Sequence, residues 1–208
     1  MPSKTAILTL NGSNHDADIL HSLIKKGFFH LCTDGAYDIL KQMGITPDAV
    51  IGDMDSVEHM PTNCRLISMP NQERNDSEKA LEWLIQKGYS TVHINGFRGG
   101  RLDHELVNLS LFLHVSSRLE IYTYEGGQMA RILQPGQYTF RGQKGDLFSL
   151  IPLSPVEKIR LTGTEYPLES DTLYPGSRGL SNRFMMKKIS LSFIRGSLIA
   201  VIPYKYNI

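Results

Sequence analysis

Short apolar runs and helical stripes alternate through the first 125 residues. Thr5–Leu10 reads as a buried strand that ends at the Asn11-Gly12 turn. In Asp18–Lys26 the residues Ile19, Leu20, Leu23 and Ile24 recur at helical spacing, and Gly27 closes the stripe. Phe28–Cys32 is a second strand, ending at Thr33-Asp34-Gly35, and Ala36–Met43 a short helix with Gly44 at its C-terminal cap position. Asp48–Ile51 and Arg65–Met69 are the third and fourth strands. Asp76–Lys87 is a helix with Ala80, Leu81, Leu84 and Ile85 as its stripe and Gly88 as its stop. Asn75 or Asp76 caps its start, with Glu78 in reach of a capping box. Thr91–Ile94 is a fifth strand, followed by a glycine loop and by a helix over Leu102–Val115 that carries Leu102, Leu106, Leu109 and Leu113 on one face.

Strands alternating with helices imply βαβ units and a mostly parallel sheet, so residues 1–125 are expected to form a Rossmann-like α/β domain. Such sheets bind ligands beyond the carboxyl ends of their strands. Asn11-Gly12, Asp34-Gly35, Gly52-Asp53 and Gly96–Asp103 all fall just after strands, which gathers polar residues along one edge. After Glu125-Gly126-Gly127 the character changes. Gln128–Leu133, Tyr138–Phe140, Leu147–Ile151, Ile159–Thr162, Ile189–Phe193 and Ser197–Ile202 are short, often alternating, and separated by Gly or Pro. Residues 126–208 therefore read as an all-β sandwich of jelly-roll type. The chain shows neither an internal repeat nor a low-complexity segment.

With 22 Lys plus Arg against 21 Asp plus Glu, the net charge of +1 argues against nucleic acid or an anionic membrane as partner. Apolar runs such as Leu198–Pro203 fall far short of the roughly 20 residues of a membrane span. Met1–Lys4 leads into Ala6–Leu10 without a small-residue cleavage site, so no secretory leader is expected. Cys32 and Cys64 form no CxxC spacing and read as two reduced thiols of a cytoplasmic protein.

The sharpest local feature is Gly52-Asp53-Met54-Asp55-Ser56: two carboxylates one residue apart at a strand end can both reach one divalent ion. Hard oxygen ligands suit magnesium, which completes its shell with water and phosphate oxygens. An acidic turn of ordinary turn residues is the competing reading. In Asn95–His104 the glycines let backbone approach a ligand, the loop opens a helix, and Arg98 and Arg101 can grip phosphate, with Asp103 in the first helical turn. A plain glycine turn with a capping Asp would look the same. Neither GxxxxGK[ST] nor GxGxxG occurs there. Asp34, and Gln72 with Asp76, follow the second and fourth strands. Each is weak alone. Five aspartates, Asp34, Asp53, Asp55, Asp76 and Asp103, converge after strands of one sheet, and their mutual repulsion calls for a cation or cationic ligand. The seven histidines show no metal-ligand spacing, and no GxSxG elbow supports a serine nucleophile. Gly179-Leu180-Ser181-Asn182 is a polar loop between strands, and Trp83 reads as packing surface.

Together these pieces resemble the thiamine pyrophosphokinase (thiamine diphosphokinase) family. The resemblance runs through Asp34-Gly35-Ala36, Gly44–Asp48, Ile51–Ser56, Gln72 to Asp76 with Lys79-Ala80-Leu81, and Gly96 to His104 with Asn108. It continues in the second half through Tyr166–Glu169 and Leu180-Ser181-Asn182 with Phe184. It implies an α/β nucleotide-binding domain and a β sandwich paired in a homodimer. It also implies transfer of the β,γ-diphosphoryl unit of ATP to the hydroxyethyl oxygen of thiamine, with release of AMP. Carried over residue by residue, Asp53, Asp55 and Asp76 hold Mg2+ and the triphosphate, Arg98, Gly99, Gly100 and Arg101 cradle phosphates, and Asp103 completes the acidic cluster. Ser181 and Asn182, from the partner subunit, face the thiamine pyrimidine. The family's Asp-Gly-Gly-Ala-Asn is Asp34-Gly35-Ala36-Tyr37-Asp38 here, and its Gln-Asp-x-Thr-Asp is Gln72-Glu73-Arg74-Asn75-Asp76. Arg178 and Gly179 stand where an aromatic residue often precedes the Ser-Asn pair.

Diphosphoryl transfer needs positioning and charge neutralisation more than covalent chemistry. A carboxylate near the thiamine hydroxyl, Asp55 or Asp76 by position, could accept its proton. The departures at Tyr37 and Asn75 motivate a second reading, a non-catalytic nucleotide- or thiamine-phosphate-binding protein on the same scaffold. A nucleotide-sugar transferase using Asp53-x-Asp55 explains neither the Gly99-Gly100-Arg101 loop nor the β domain.

Overall fold

A computed structural model describes residues 4–55 and 62–207; Ser56 lies outside the described residues. The chain divides into two compact units, Met1–Glu125 and Gly126–Ile208.

The first unit runs β1 (Lys4–Thr9), α1 (Ala17–Lys25), β2 (Phe29–Thr33), α2 (Asp34–Gln42), β3 (Ala49–Gly52), β4 (Arg65–Ser68), α3 (Asp76–Gln86), β5 (Tyr89–Asn95), α4 (Leu102–Val115) and β6 (Glu120–Glu125). Its strands lie in the order β6-β5-β1-β2-β3-β4, every neighbouring pair parallel. Ala6, Ile7 and Leu8 of β1, Leu31 of β2 and Val50 and Ile51 of β3 are fully buried, as strands covered on both faces require. Chain order runs outward from β1 on one side and from β5 on the other. The loops after β1 and β5 therefore part at a switch point, where open α/β sheets leave a crevice.

Local chemistry sets the helix starts. Asp16 caps α1 by accepting the Ile19 N–H at 3.0 Å. Asn75 caps α3 by accepting the Glu78 N–H at 2.9 Å, which frees the next carboxylate, Asp76, from that duty. α2 begins at Asp34, two residues before the expected start, and its flanking residue Thr33 makes no side-chain cap. On α4 the residues buried are Asn108, Phe112 and Val115. The four leucines that mark its apolar face are exposed instead, Leu102 by 70% and Leu106 by 60%. Trp83 is buried and stacks on Phe29 and Tyr89 at the amino end of the sheet.

The second unit holds β7 (Gln128–Leu133), β8 (Gly136–Arg141), β9 (Leu147–Pro152), β10 (Val156–Thr162), β11 (Leu168–Leu173), β12 (Asn182–Arg183), β13 (Lys188–Phe193) and β14 (Leu198–Pro203). Two antiparallel layers, β12-β9-β14-β7 and β11-β10-β13-β8, form the β sandwich. Alternation puts Ile189, Leu191 and Phe193 of β13 inside, and Phe148 meets Phe184 edge-on in the core, 5.3 Å between centroids. Both cysteines, Cys32 and Cys64, are free thiols. Among the described residues no helix is long and apolar enough to cross a membrane.

Candidate active site

A cavity of about 340 Å³ opens beyond the carboxyl ends of the parallel strands. Asn11 and Gly12 reach it from the turn after β1, Thr33 from the end of β2, Asp34 and Gly35 from the start of α2, Asn75 and Asp76 from the cap and first residue of α3, and Phe97, Gly100 and Arg101 from the loop after β5. His104, Glu105 and Asn108 of α4 complete its wall.

Asp34 is its most enclosed acid, 1% exposed. Oδ1 accepts the Gly35 N–H at 2.7 Å and Oδ2 the Met54 N–H at 3.0 Å. Two neighbours make that arrangement possible. A Cβ on Gly52 would lie 2.5 Å from the Asp34 carboxylate, so only glycine leaves room for it. Met54 takes φ +71°, a left-handed backbone rare for a long side chain, and so turns its N–H to Asp34 between the two carboxylates of Asp53-Met54-Asp55. Burial pushes the Asp34 carboxyl above the usual range. Asp76 adds to the rise, the Gly35 and Met54 N–H groups oppose it, and Asp53 adds the remainder. Asp34, Asp53 and Asp76 thus share one electrostatic neighbourhood. Lys79 supplies a cation that sequence reasoning leaves without a role: its Nζ donates to Asp76 Oδ1 at 2.9 Å.

Two buried polar atoms of the wall, Thr33 Oγ1 and Asn108 Oδ1, have no hydrogen-bond partner in the fold. Thr33 is 3% and Asn108 6% exposed. Both groups are left unsatisfied as the fold stands. Among the described residues no group of three or more His, Cys, Asp or Glu side chains is placed to hold a metal ion alone. Magnesium does not need one, since it binds through one or two carboxylates and substrate phosphates. A buried carboxyl beside two others, next to an unpartnered hydroxyl, fits that mode.

The remaining candidates are spread more widely. Asp55 is exposed and donates its N–H to Asp53 Oδ1 at 3.2 Å. Gln72 is exposed. Arg101 lines the cavity and grips Asp103 with two bonds, Nη2 to Oδ2 at 2.5 Å and Nε to Oδ1 at 3.1 Å. That guanidinium holds the fully exposed Asp103 carboxyl below its usual range, and Asp103 stays outside the cavity wall. Arg98 does not line the cavity either, because Glu125 and Glu105 hold its guanidinium. In the second unit Ser181 is exposed with φ +54°, its N–H on Ser149 Oγ at 3.1 Å. The Asn182 amide is occupied by backbone: Oδ1 accepts from Tyr166 and Arg183, and Nδ2 donates to Tyr166 O at 2.8 Å.

Residues 20–123 match the thiamin pyrophosphokinase catalytic domain and residues 137–198 the thiamin pyrophosphokinase vitamin B1 binding domain. The chain belongs to the thiamine pyrophosphokinase family. Thiamine pyrophosphokinase of Bacillus subtilis (strain 168) is 28% identical over 173 residues, which cover 78% of this chain and 81% of that protein. The crystal structure of thiamine pyrophosphokinase from Bacillus subtilis superposes with a TM-score of 0.82 at 23% identity, covering 96% of this chain and 99% of the other. That from Geobacillus thermodenitrificans gives 0.81 at 24% identity over 96% and 97% of the two chains. At that identity the two structures establish the shared fold: an α/β unit with a parallel sheet and an antiparallel sandwich. Members of the family thus share the two-part architecture, and in this one the cavity sits at the switch point of the first part. Of its wall, Asn11, Thr33 and Glu105 carried no signal beyond turn or helix chemistry, and Asn108 stood out only as part of the family motif.

Proposed function

We propose that the protein transfers the diphosphoryl group of ATP to the hydroxyl of thiamine, giving thiamine diphosphate and AMP. The observation that carries this reading is the cavity in which Asp34, Asp76, Gly100 and Arg101 meet at the switch point of a family-typical sheet. Residues 1–125 act as the nucleotide-binding catalytic domain, and residues 126–208 bind thiamine and pair subunits.

Asp53, Asp55 and Asp76 are the side chains that would hold Mg2+, one or two of them directly, with Asp34 behind them ordering the turn through Met54. When bound, the ion would offset charge on the phosphates. At the amino end of α4, Gly99 shapes the loop and Gly100 and Arg101 receive the phosphate oxygens with backbone N–H groups and one guanidinium. The hydroxyl oxygen of thiamine attacks the β-phosphorus, the bond to the α-phosphate oxygen breaks, and AMP leaves with the electron pair. The hydroxyl proton passes to a carboxylate of the Asp55–Asp76 pair. Gln72 closes the nucleotide side. Ser181 and Asn182 shape the thiamine subsite, Asn182 by locking the Tyr166 backbone, and come from the second subunit of a cytoplasmic homodimer. The exposed leucine face of α4 supports pairing, since an apolar stripe of that kind marks an interaction surface.

Purified protein with thiamine, ATP and Mg2+ should release AMP in step with thiamine diphosphate. Asp55→Asn should abolish turnover with the melting temperature unchanged. Folded protein that makes neither product defeats the proposal.

A further inference from the structure

The loop between β5 and α4 is tied on its carbonyl side to the segment after β1. The Gly12 N–H donates to Gly96 O at 2.7 Å, the Asn14 N–H to Arg98 O at 3.1 Å, and Ser13 Oγ to Gly99 O at 2.5 Å. The approach is so close that a Cβ on Gly12 would lie 2.1 Å from the Arg98 carbonyl oxygen, and one on Gly99 2.2 Å from Ser13 Oγ. Gly99 also needs φ +82°. Because each peptide unit is planar, holding the Arg98 and Gly99 carbonyls toward the β1 segment turns the Gly99 and Gly100 N–H groups to the opposite side.

Glu105 stands on that side, in the first turn of α4. Its Oε1 accepts the Gly99 N–H at 2.8 Å, and its Oε2 lies 3.8 Å from Arg98 Nε. Arg98 Nη1 is ion-paired with Glu125 Oε2, and Glu125 Oε1 accepts from Asn14 Nδ2 at 3.1 Å. The contacts therefore run Gly99–Glu105–Arg98–Glu125–Asn14 and close back on the β1 segment. Glu105 also forms part of the cavity wall beside Gly100 and Arg101. An unengaged carboxylate there would repel phosphate. With a guanidinium beside it and a backbone N–H on it, its charge is turned to holding the loop.

We propose that Glu105 is a positioning residue for the nucleotide: it clamps Gly99 so that Gly100 and Arg101 face the phosphates, and Arg98 serves as its counter-ion. The nucleotide's identity rests on the function proposed above; the clamp itself does not.

Three variants separate acceptor from charge. Glu105→Ala removes the acceptor, Glu105→Asp keeps the charge but shortens the reach, and Glu105→Gln keeps the acceptor without the charge. Mg–ATP binding is followed by calorimetry without thiamine, and hydrogen exchange of the 96–101 segment by mass spectrometry. Ala and Asp should weaken ATP binding roughly tenfold, the scale of one lost charge-assisted hydrogen bond, and speed exchange in that segment. Gln, which keeps the acceptor but loses the charge, should fall between wild type and Ala. In turnover the KM for ATP should rise with kcat and the KM for thiamine held. ATP affinity and exchange unchanged in Ala and Asp overturns the proposal, as does a Gln variant as weak as Ala. If wild type binds ATP but turns over no thiamine, the activity proposal fails while exchange and titration still judge the clamp. If ATP does not bind at all, unchanged exchange in Ala and Asp still defeats it.

Discussion

Lys79, 5% exposed, donates from Nζ to Asp76 Oδ1 at 2.9 Å, one turn back along α3. Its side chain is buried, so the ammonium meets Asp76, a residue of the cavity wall, from the protein side and not from solvent. Removing one partner of a pair with one member buried leaves a carboxylate beside Asp34 that has no other ion pair among the described residues. Lys79→Met keeps the stem and deletes the charge. It should lower stability by about 1–2 kcal/mol, reduced from the fully buried case because Asp76 is about a third exposed. Turnover should fall at least tenfold, and Lys79→Arg should recover part of both. Urea unfolding and steady-state rates check this; a Met variant with wild-type stability and rate removes Lys79 from the site.

Gly52→Ala tests the packing behind Asp34. The new methyl would lie 2.5 Å from the carboxylate, a separation the group can relieve only by swinging off the Gly35 and Met54 N–H groups. Overpacking of this kind costs about 1–3 kcal/mol. Turnover should be lost with it, because the Asp53–Asp55 turn is anchored through Met54. Adding Asp34→Ser should restore melting temperature but not activity. A single Gly52→Ala variant that melts and works like wild type shows that the turn has slack the geometry denies.

Much of this architecture is legible in residue order alone. Apolar runs place β1 to β5 and apolar stripes place α1 to α3, most ending on a glycine or a cap; α4 is placed by a stripe that the fold leaves exposed. Three strands are not legible. β6, Glu-Ile-Tyr-Thr-Tyr-Glu, carries charge at both ends, β11 is largely polar, and β12 spans two residues. The start of α2 is missed by two residues, since Asp34-Gly35 reads as a turn until Met54 is seen to satisfy the carboxylate. At the site, the aspartates announce themselves by following strands. Lys79 does not, because it enters only beside Ala80 and Leu81 in the family motif, with no charge role attached. Thr33 has no pattern, and Asn108 shows only through the family motif; that their buried atoms lack partners is visible only in the fold.

Two buried histidines give the protein an acid limit. Burial lowers both His30 and His93 to about 4 from an ordinary 6.5. The unfolded chain therefore binds protons that the folded chain refuses between those values. Stability is full above pH 6.5 and falls as pH drops toward 4, on the order of 3 kcal/mol per histidine over the whole span. Urea midpoints at pH 7 and 5 should differ measurably, and His30→Gln with His93→Gln should flatten the dependence. A slope unchanged in the double variant assigns the acid limit to other groups.

The leucine face of α4 bears on subunit pairing. Leu102 and Leu106 are 70% and 60% exposed, and Leu109 and Leu113 each 36%. Their spacing of four, three and four residues makes one continuous stripe on a helix that also gives His104, Glu105 and Asn108 to the cavity wall. Covering the stripe with a second copy removes it from water and fixes the helix that carries the site. Leu106→Glu with Leu109→Glu places two charges at its centre and should yield a monomer by light scattering at micromolar concentration. The fold itself should survive, because both side chains already meet solvent. Turnover should drop with the dimer, while ATP binding, set within one α/β unit, should change little. Wild-type protein that runs as a monomer under the same conditions removes the stripe as a pairing surface, and a double variant that stays dimeric moves the interface elsewhere.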